Sequence, residues 1–218
     1  MDVVCVIATL GFEADFALRR LSASPKVSRL VCVGLRVDEH GWSRVERAFK
    51  LISYYCYSAQ VDCLLEPLSI TSIVEEFTSI LRREASRCSK VELYLTGGPR
   101  LAVVVAVLTS AMVLRGLEDR VSIVVEGETF DARLEVPVGT YRKVLQLTDL
   151  EREIIARAIK ESIKPSDLAR ELRQHKPIVY RKVRALVEAG LLVRVQGFRE
   201  EYVASEPLRR LFKLVEAS

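Results

Sequence analysis

Histidine is nearly missing from this chain: only His40 and His175 occur in 218 residues. They lie far apart, and neither sits in a ligand-spaced cluster that would make a case for zinc. The five cysteines, Cys5, Cys32, Cys56, Cys63 and Cys88, are odd in number and contain no C-x-x-C. They are therefore expected as buried small hydrophobes, not as metal ligands or a disulfide framework. Neither G-x-G-x-x-G nor G-x-x-x-x-G-K-[ST] occurs, which disfavours NAD-dependent redox chemistry and ATP hydrolysis. The longest apolar stretch, Leu101–Leu114, is interrupted by Thr109 and Ser110 and is too short to span a bilayer. Met1 is followed directly by Asp2 and the strand-length run Val3–Ala8, with no basic leader, so a soluble cytoplasmic protein is expected.

What the chain does have is a core and an uneven distribution of charge. It is 50% hydrophobic and 28% charged, enough to bury a proper interior. Residues 1–145 carry 18 basic and 18 acidic side chains, whereas residues 146–218 carry 15 and 11. Between Arg170 and Arg199 eight basic residues face only Glu171 and Glu188. A polyanion partner for this end follows, and the neutral remainder reads as a sensor.

Residues 1–136 alternate short apolar strands with amphipathic helices. Strands are expected at Val3–Thr9, Arg29–Gly34, Val61–Pro67, Val91–Leu95 and Val121–Val125, with Thr129–Val136 completing a hairpin. Helices are expected at Phe12–Leu21, about Trp42–Tyr57, Thr71–Cys88 and Arg100–Arg115. This is an α/β, Rossmann-like, mostly parallel sheet. Strand one lies in the middle, strands two and three on one side, and strand four on the other. Ligands bind where strand order reverses, at the carboxyl ends of strands one and four. Two unusual loops fall there: Thr9-Leu10-Gly11-Phe12 and Thr96-Gly97-Gly98-Pro99-Arg100. Gly97 and Gly98 permit close ligand approach, Pro99 suits a first helical turn, and Arg100 with the exposed helical N–H groups favours an anion. Thr9 and Thr96 can hydrogen-bond its ribose or phosphate groups. A helix as apolar as Arg100–Arg115 is expected to be covered, by its own domain or by a second subunit.

A stretch at 138–147 reads as a linker with a hinge near Gly139. Thr148 and Glu151 form a capping box that opens a first helix, and Ser166 caps a second over Asp167–Arg173. Gln174-His175-Lys176 is a turn, and a third helix runs from Pro177 to about Ala189. Leu191–Gln196 and Arg199–Ala204 form a wing, and Pro207 opens a last helix. Residues 148–218 are thus a small winged helix-turn-helix domain. Its second helix would enter a major groove, with Lys176, Tyr180, Arg181, Lys182 and Arg184 reaching DNA and wing residues Arg194 and Arg199 touching the backbone or minor groove.

On the two loops, the segment Phe16-Ala17-Leu18-Arg19 and the domain after Thr148, the chain resembles the archaeal CRISPR-associated transcriptional regulators. These join an N-terminal CARF domain (a CRISPR-associated Rossmann-like fold) to a C-terminal winged helix. The resemblance implies a CARF sensing domain over 1–137 and a homodimer that binds a cyclic oligoadenylate, cyclic tetraadenylate in particular, across its two-fold axis. It also implies winged helices that bind double-stranded promoter DNA of CRISPR genes. In relatives the Gly-Gly pair is often followed by Thr, whereas here Pro99 removes a hydroxyl and an N–H. No catalytic residue, metal or cofactor is expected. The competing readings are a ring nuclease, with Thr96 and Arg100 as helpers, and a regulator that senses another phosphate-bearing metabolite.

Overall fold

The structure, a computed structural model, describes residues 4–23, 27–114, 116–127, 133–195 and 200–209. The chain divides into two compact units, Met1–Gly139 and Thr140–Ser218.

The first unit is a six-stranded sheet in the order β3-β2-β1-β4-β5-β6. Its strands are β1 (Val4–Leu10), β2 (Arg29–Arg36), β3 (Asp62–Ser69), β4 (Lys90–Tyr94), β5 (Val121–Glu126) and β6 (Arg133–Pro137). All neighbours pair in parallel except β5 with β6. β1 is buried along its whole length, as a near-continuous apolar run in a two-sided parallel sheet should be. The strands connect through α1 (Asp15–Ser22), α2 (Glu39–Ala59), α3 (Ile73–Arg87) and α4 (Arg100–Val113). The expected topology is therefore the observed one, with the carboxyl ends of β1 and β4 side by side. α2 begins earlier than its apolar stripe suggested, because Asp38 caps it and accepts a hydrogen bond from the Gly41 N–H at 2.7 Å. A buried ion pair lies within this unit: Arg20 and Glu92 meet at 2.6 Å, both almost without exposure.

Two expectations are corrected. The cysteines are not simple hydrophobes. Cys5 is disulfide-bonded to Cys88 and Cys56 to Cys63, with Cα separations of 6.1 and 6.2 Å. The pairing of β1 with β4 brings the first two together, and the turn from α2 into β3 the second two. Only Cys32 is free. It is buried, and desolvation pushes its thiol up to about 12, so it stays protonated and unreactive.

α4 is apolar on both faces, and within this unit only its smaller side chains are covered. Ala102, Val105, Ala106, Thr109 and Ser110 face inward. The hydroxyls of Thr109 and Ser110 bond back to Val105 and Val107 carbonyls, so burying them costs little. The bulkier Leu101, Val104, Leu108 and Met112 face outward, the last 76% exposed.

Second, the stretch at 138–147, read as a linker with a hinge near Gly139, is mostly helical. α5 (Val138–Leu145) occupies it. Gly139 is packed rather than loose, since a Cβ there would come within 2.6 Å of Asp119 Oδ1.

The second unit is a winged helix-turn-helix. α6 (Asp149–Lys160), α7 (Pro165–Glu171) and α8 (Lys176–Glu188) precede an antiparallel pair, β7 (Leu192–Arg194) and β8 (Tyr202–Ala204). Ile154, Ile155, Leu168, Val179, Val183 and Leu186 supply its separate core. The capping box is present: the Glu151 carboxylate accepts from the Thr148 N–H at 2.8 Å and from its hydroxyl at 2.7 Å. The turn before α8 is closed by Arg173 in a left-handed conformation, and Gly190 ends α8 at φ +71°. Leu208 is buried in this core, and the rest of the expected last helix, from residue 210, lies outside the described residues.

Candidate functional site

The two loops singled out in the sequence meet. Gly98 has a φ of +86°, and a Cβ there would lie 2.8 Å from the carbonyl carbon of Thr9 and 3.0 Å from the Leu10 nitrogen. A Cβ on Gly11 would lie 3.3 Å from Gly98 Cα. Glycine is thus needed on both sides, because backbone touches backbone. The Thr9 hydroxyl donates to the Gly97 carbonyl and clamps the second loop onto the end of β1. Thr9 is buried, so its hydroxyl braces the junction and does not point to a ligand. Leu10 is buried likewise, while Phe12, Gly98 and Arg100 are exposed and Gly11, Thr96, Gly97 and Pro99 partly so.

Thr96 is also occupied from within. Its hydroxyl oxygen accepts from the Glu126 N–H at 2.9 Å. Tyr94, at the end of β4, donates to the Glu126 carboxylate at 2.5 Å, and Arg133 holds the other carboxylate oxygen at 2.9 Å. Burial, then the bond to Glu126, pushes the Tyr94 phenol up to about 12, so it remains a donor. Sequence reasoning missed this brace, because its three members stand on three different strands.

Pro99 sits at the N-cap of α4, one position before the helix, and no side chain caps the helix. Arg100 is its first residue and no acid lies in the first turn. A cation at a helix N-terminus opposes the dipole and is normally disfavoured by about 0.3–1 kcal/mol. Its presence beside unpaired N–H groups fits an anion supplied from outside.

A cavity of about 560 Å³ opens beside this junction, at the carboxyl ends of β1, β2 and β4. Its apolar walls are Phe12, Phe16, Leu35, Val37, Val45 and Pro99. Glu13 and Asp38 are the ionisable residues in its lining. The guanidinium of Arg44 lies 3.8 Å from the centre of the Phe12 ring. The walls from β2 and α2 went unread in the sequence. The signal was Asp38 itself, a helix-capping residue just after an apolar strand.

In the second unit, Lys176, Tyr180, Arg181 and Arg184 lie along the exposed face of α8. Arg184 pairs with Glu188 at 3.0 Å within the helix, and Arg194 is exposed on β7. Lys182 differs. It turns toward α6 and pairs with Glu151 at 3.2 Å, which ties the two helices together. Arg199 lies outside the described residues.

Residues 4–137 match the family of the Csa3 CRISPR-associated Rossmann-like domain. The chain belongs to that family. Its first unit is thus a CRISPR-associated Rossmann-like domain, here with a winged helix-turn-helix behind it. No curated protein matches the chain. Solved structures similar to the chain include two at low sequence identity. One is Can2 from Sulfobacillus thermosulfidooxidans in complex with cyclic tetra-adenylate, at 11% identity and a TM-score of 0.44. It covers 95% of this chain and 61% of that one. The other is the adhesin competence repressor AdcR from Streptococcus pyogenes, at 17% identity and a TM-score of 0.28, covering 34% of this chain and 63% of that one. The aligned parts thus span about three-fifths of each of those structures. Among the described residues, no helix is long and apolar enough to cross a membrane.

Proposed function

We propose that the chain is a ligand-responsive transcriptional regulator of CRISPR-Cas genes, with a cyclic oligoadenylate, cyclic tetraadenylate in particular, as its signal. The observation that carries this reading is the junction of Gly11 and Gly98 beside Arg100 and an uncapped helix start, in a domain of the Csa3 family. A ring of four nucleotides is itself two-fold symmetric and suits a site shared by two copies. The outward stripe of Leu101, Val104, Leu108 and Met112 follows directly on Arg100 and gives a second copy an apolar surface to cover. Leu108→Asp should therefore turn a dimer into a monomer in sedimentation analysis, and an unchanged sedimentation coefficient would exclude that surface.

The exposed basic face of α8 supports promoter binding. Two such helices in a dimer would read half-sites about 34 Å apart or a multiple of it. The protein is read as a binder and not a catalyst: the cavity lining offers two carboxylates but no histidine, lysine or cysteine. Linear product at more than one turnover per ring, from labelled cyclic tetraadenylate, would sink that part. The experiment for the whole reading is calorimetric titration with cyclic tetraadenylate, then promoter binding with and without ligand. One ring per two chains and a changed promoter affinity are expected. No binding by calorimetry or by an orthogonal assay would leave a winged-helix protein with an unidentified signal.

A further inference from the structure

We infer that the outward face of α2 is a docking stripe for single-stranded nucleic acid, a contact surface of the first unit that does not rest on the regulator reading above. Residues 1–145 are neutral overall, yet α2 gathers cations and bare aromatic rings on one line. Its inward residues, Trp42, Val45, Ala48, Ile52 and Cys56, fill the core. At about 100° per residue, Arg47, Lys50, Tyr54 and Tyr57 fall within roughly 80° on the opposite side, over a length of about 15 Å. All four are exposed, Tyr54 by 64% and Tyr57 by 88%. Among the described residues neither tyrosine hydroxyl has a hydrogen-bond partner, and neither Arg47 nor Lys50 has an ion pair. Between Arg44 and Gln60 three basic residues stand against one acid, Glu46. Glu46 flanks the line one turn before Lys50 and forms no ion pair with it.

One exposed ring is ordinary, but two on one helix face, flanked by exposed Leu51 and Tyr55, make a patch. The patch is also held still. The Cys56–Cys63 disulfide ties the end of α2 to β3 on either side of Tyr57. Gln60 closes the helix at φ +56°, and its N–H bonds back to the Cys56 and Tyr57 carbonyls. Ser53 and Ser58 fold their hydroxyls onto the carbonyls of Lys50 and Tyr55, at 2.8 Å each, so the neighbours of the rings on the helix are small and turned away. Rigid aromatic area of this kind binds without first being ordered. A base of any kind can stack on a bare tyrosine, and the phosphates that follow it meet Arg47 and Lys50. Cations and rings in one line suit a chain whose own anions and rings alternate. Duplex DNA offers only its phosphates here, because its bases are stacked inside. A folded protein fits poorly as well: a face about 15 Å long and about 10 Å wide presents ~150 Å², well under the roughly 800 Å² per partner of a stable complex. Ribose and deoxyribose strands share this chemistry, so both serve as probes.

The test uses the full chain and fluorescence anisotropy with labelled oligouridylate and oligothymidylate, and a labelled duplex of mixed sequence alongside. Tyr54→Ala and Tyr57→Ala should each weaken single-strand binding by roughly fivefold to a hundredfold, the loss of one stacked base, and leave duplex binding as in the parent. Lys50→Gln should lower the single-strand slope of log affinity against log salt by about 0.7. Arg181→Ala, on α8, should do the reverse of the tyrosine variants, weakening duplex binding and sparing the single strands. All four positions are exposed, and an unchanged Trp42 emission spectrum, from the same helix, shows the first unit intact. No single-strand binding by the parent at low salt overturns the proposal. So does binding that persists when Tyr54→Ala and Tyr57→Ala are combined, or that falls with Arg181→Ala instead. Polyglutamate that displaces oligouridylate as well as unlabelled oligouridylate does would also overturn it, in favour of an acidic protein partner held by charge alone. Every one of these outcomes leaves the regulator reading standing, since that reading rests on the loop junction and α8.

Discussion

Replacing Gly98 with alanine should destabilise the first unit by roughly 2–5 kcal/mol, whereas the same change at Gly116 should cost only about 1–2 kcal/mol. Both glycines hold positive φ, +86° and +79°, so either alanine carries the left-handed strain of about 1–2 kcal/mol. Their surroundings separate them. Nothing lies within 4 Å of a Cβ at Gly116, but at Gly98 the Cβ meets the Thr9 carbonyl carbon at 2.8 Å and the Leu10 nitrogen at 3.0 Å. Those are backbone atoms of a strand held by parallel ladders on both sides, so they cannot retreat as a flexible side chain would. Overpacking adds roughly 1–3 kcal/mol on that account. Urea unfolding followed by Trp42 fluorescence reads this unit alone, since Trp42 is the chain's one tryptophan and lies in the first core. In thermal terms the two variants should part by several degrees, at roughly 2–4 °C per kcal/mol for a chain of this size. Equal losses at the two positions would refute the close approach of the loops.

Arg181→Ala and Arg184→Ala should each weaken promoter binding and lower the slope of log affinity against log salt by about one, leaving ligand titrations as in the parent; unchanged DNA binding in both would exclude α8 as the reading helix. Glu151→Gln should destabilise the second unit by about 1 kcal/mol at neutral pH. Burial would raise the Glu151 pKa, but the Thr148 bonds and the Lys182 charge more than offset it and hold it below the ordinary value. The stabilisation from its charge is therefore present above the unfolded carboxylate pKa and is lost as pH falls through the lower folded one; a gap between parent and variant that persists undiminished in strong acid would contradict this. Under reductant the first unit should lose stability, mostly through Cys5–Cys88. That bond spans a sequence separation of 83 and is worth roughly 4–5 kcal/mol on loop-entropy grounds, against roughly 2–3 kcal/mol for Cys56–Cys63, separated by 7. Identical unfolding curves with and without reductant would contradict it.

The strand order was legible because each parallel strand is a short apolar run and each crossover an amphipathic helix of ordinary length. The loops were legible because glycine pairs at strand ends have few other uses. What was not legible depended on neighbours far along the chain. Nothing in the spacing of Cys5 and Cys88 shows that β1 and β4 are adjacent. Nothing in Thr9 or Thr96 shows that the hydroxyls brace the loops instead of facing outward. In α4 the apolar count hid the direction, since its small and hydroxylated residues turn inward and its large ones outward. At 138–147 the Pro-Val-Gly sequence looks like a break, yet proline just before a helix is well tolerated, and α5 forms there. Lys182 reads as one more phosphate contact until Glu151, 31 residues away, is seen beside it.

The Cys5–Cys88 bond sits where β1 and β4 begin, and the Thr9–Gly97 bond and the Gly98 contact sit where they finish. The two central strands are therefore pinned to each other at both extremities. They cannot slip past one another. In the proposed regulator, a signal would then travel as displacement of the helices around a rigid keel, or of one whole copy against another, and not as shear within the sheet.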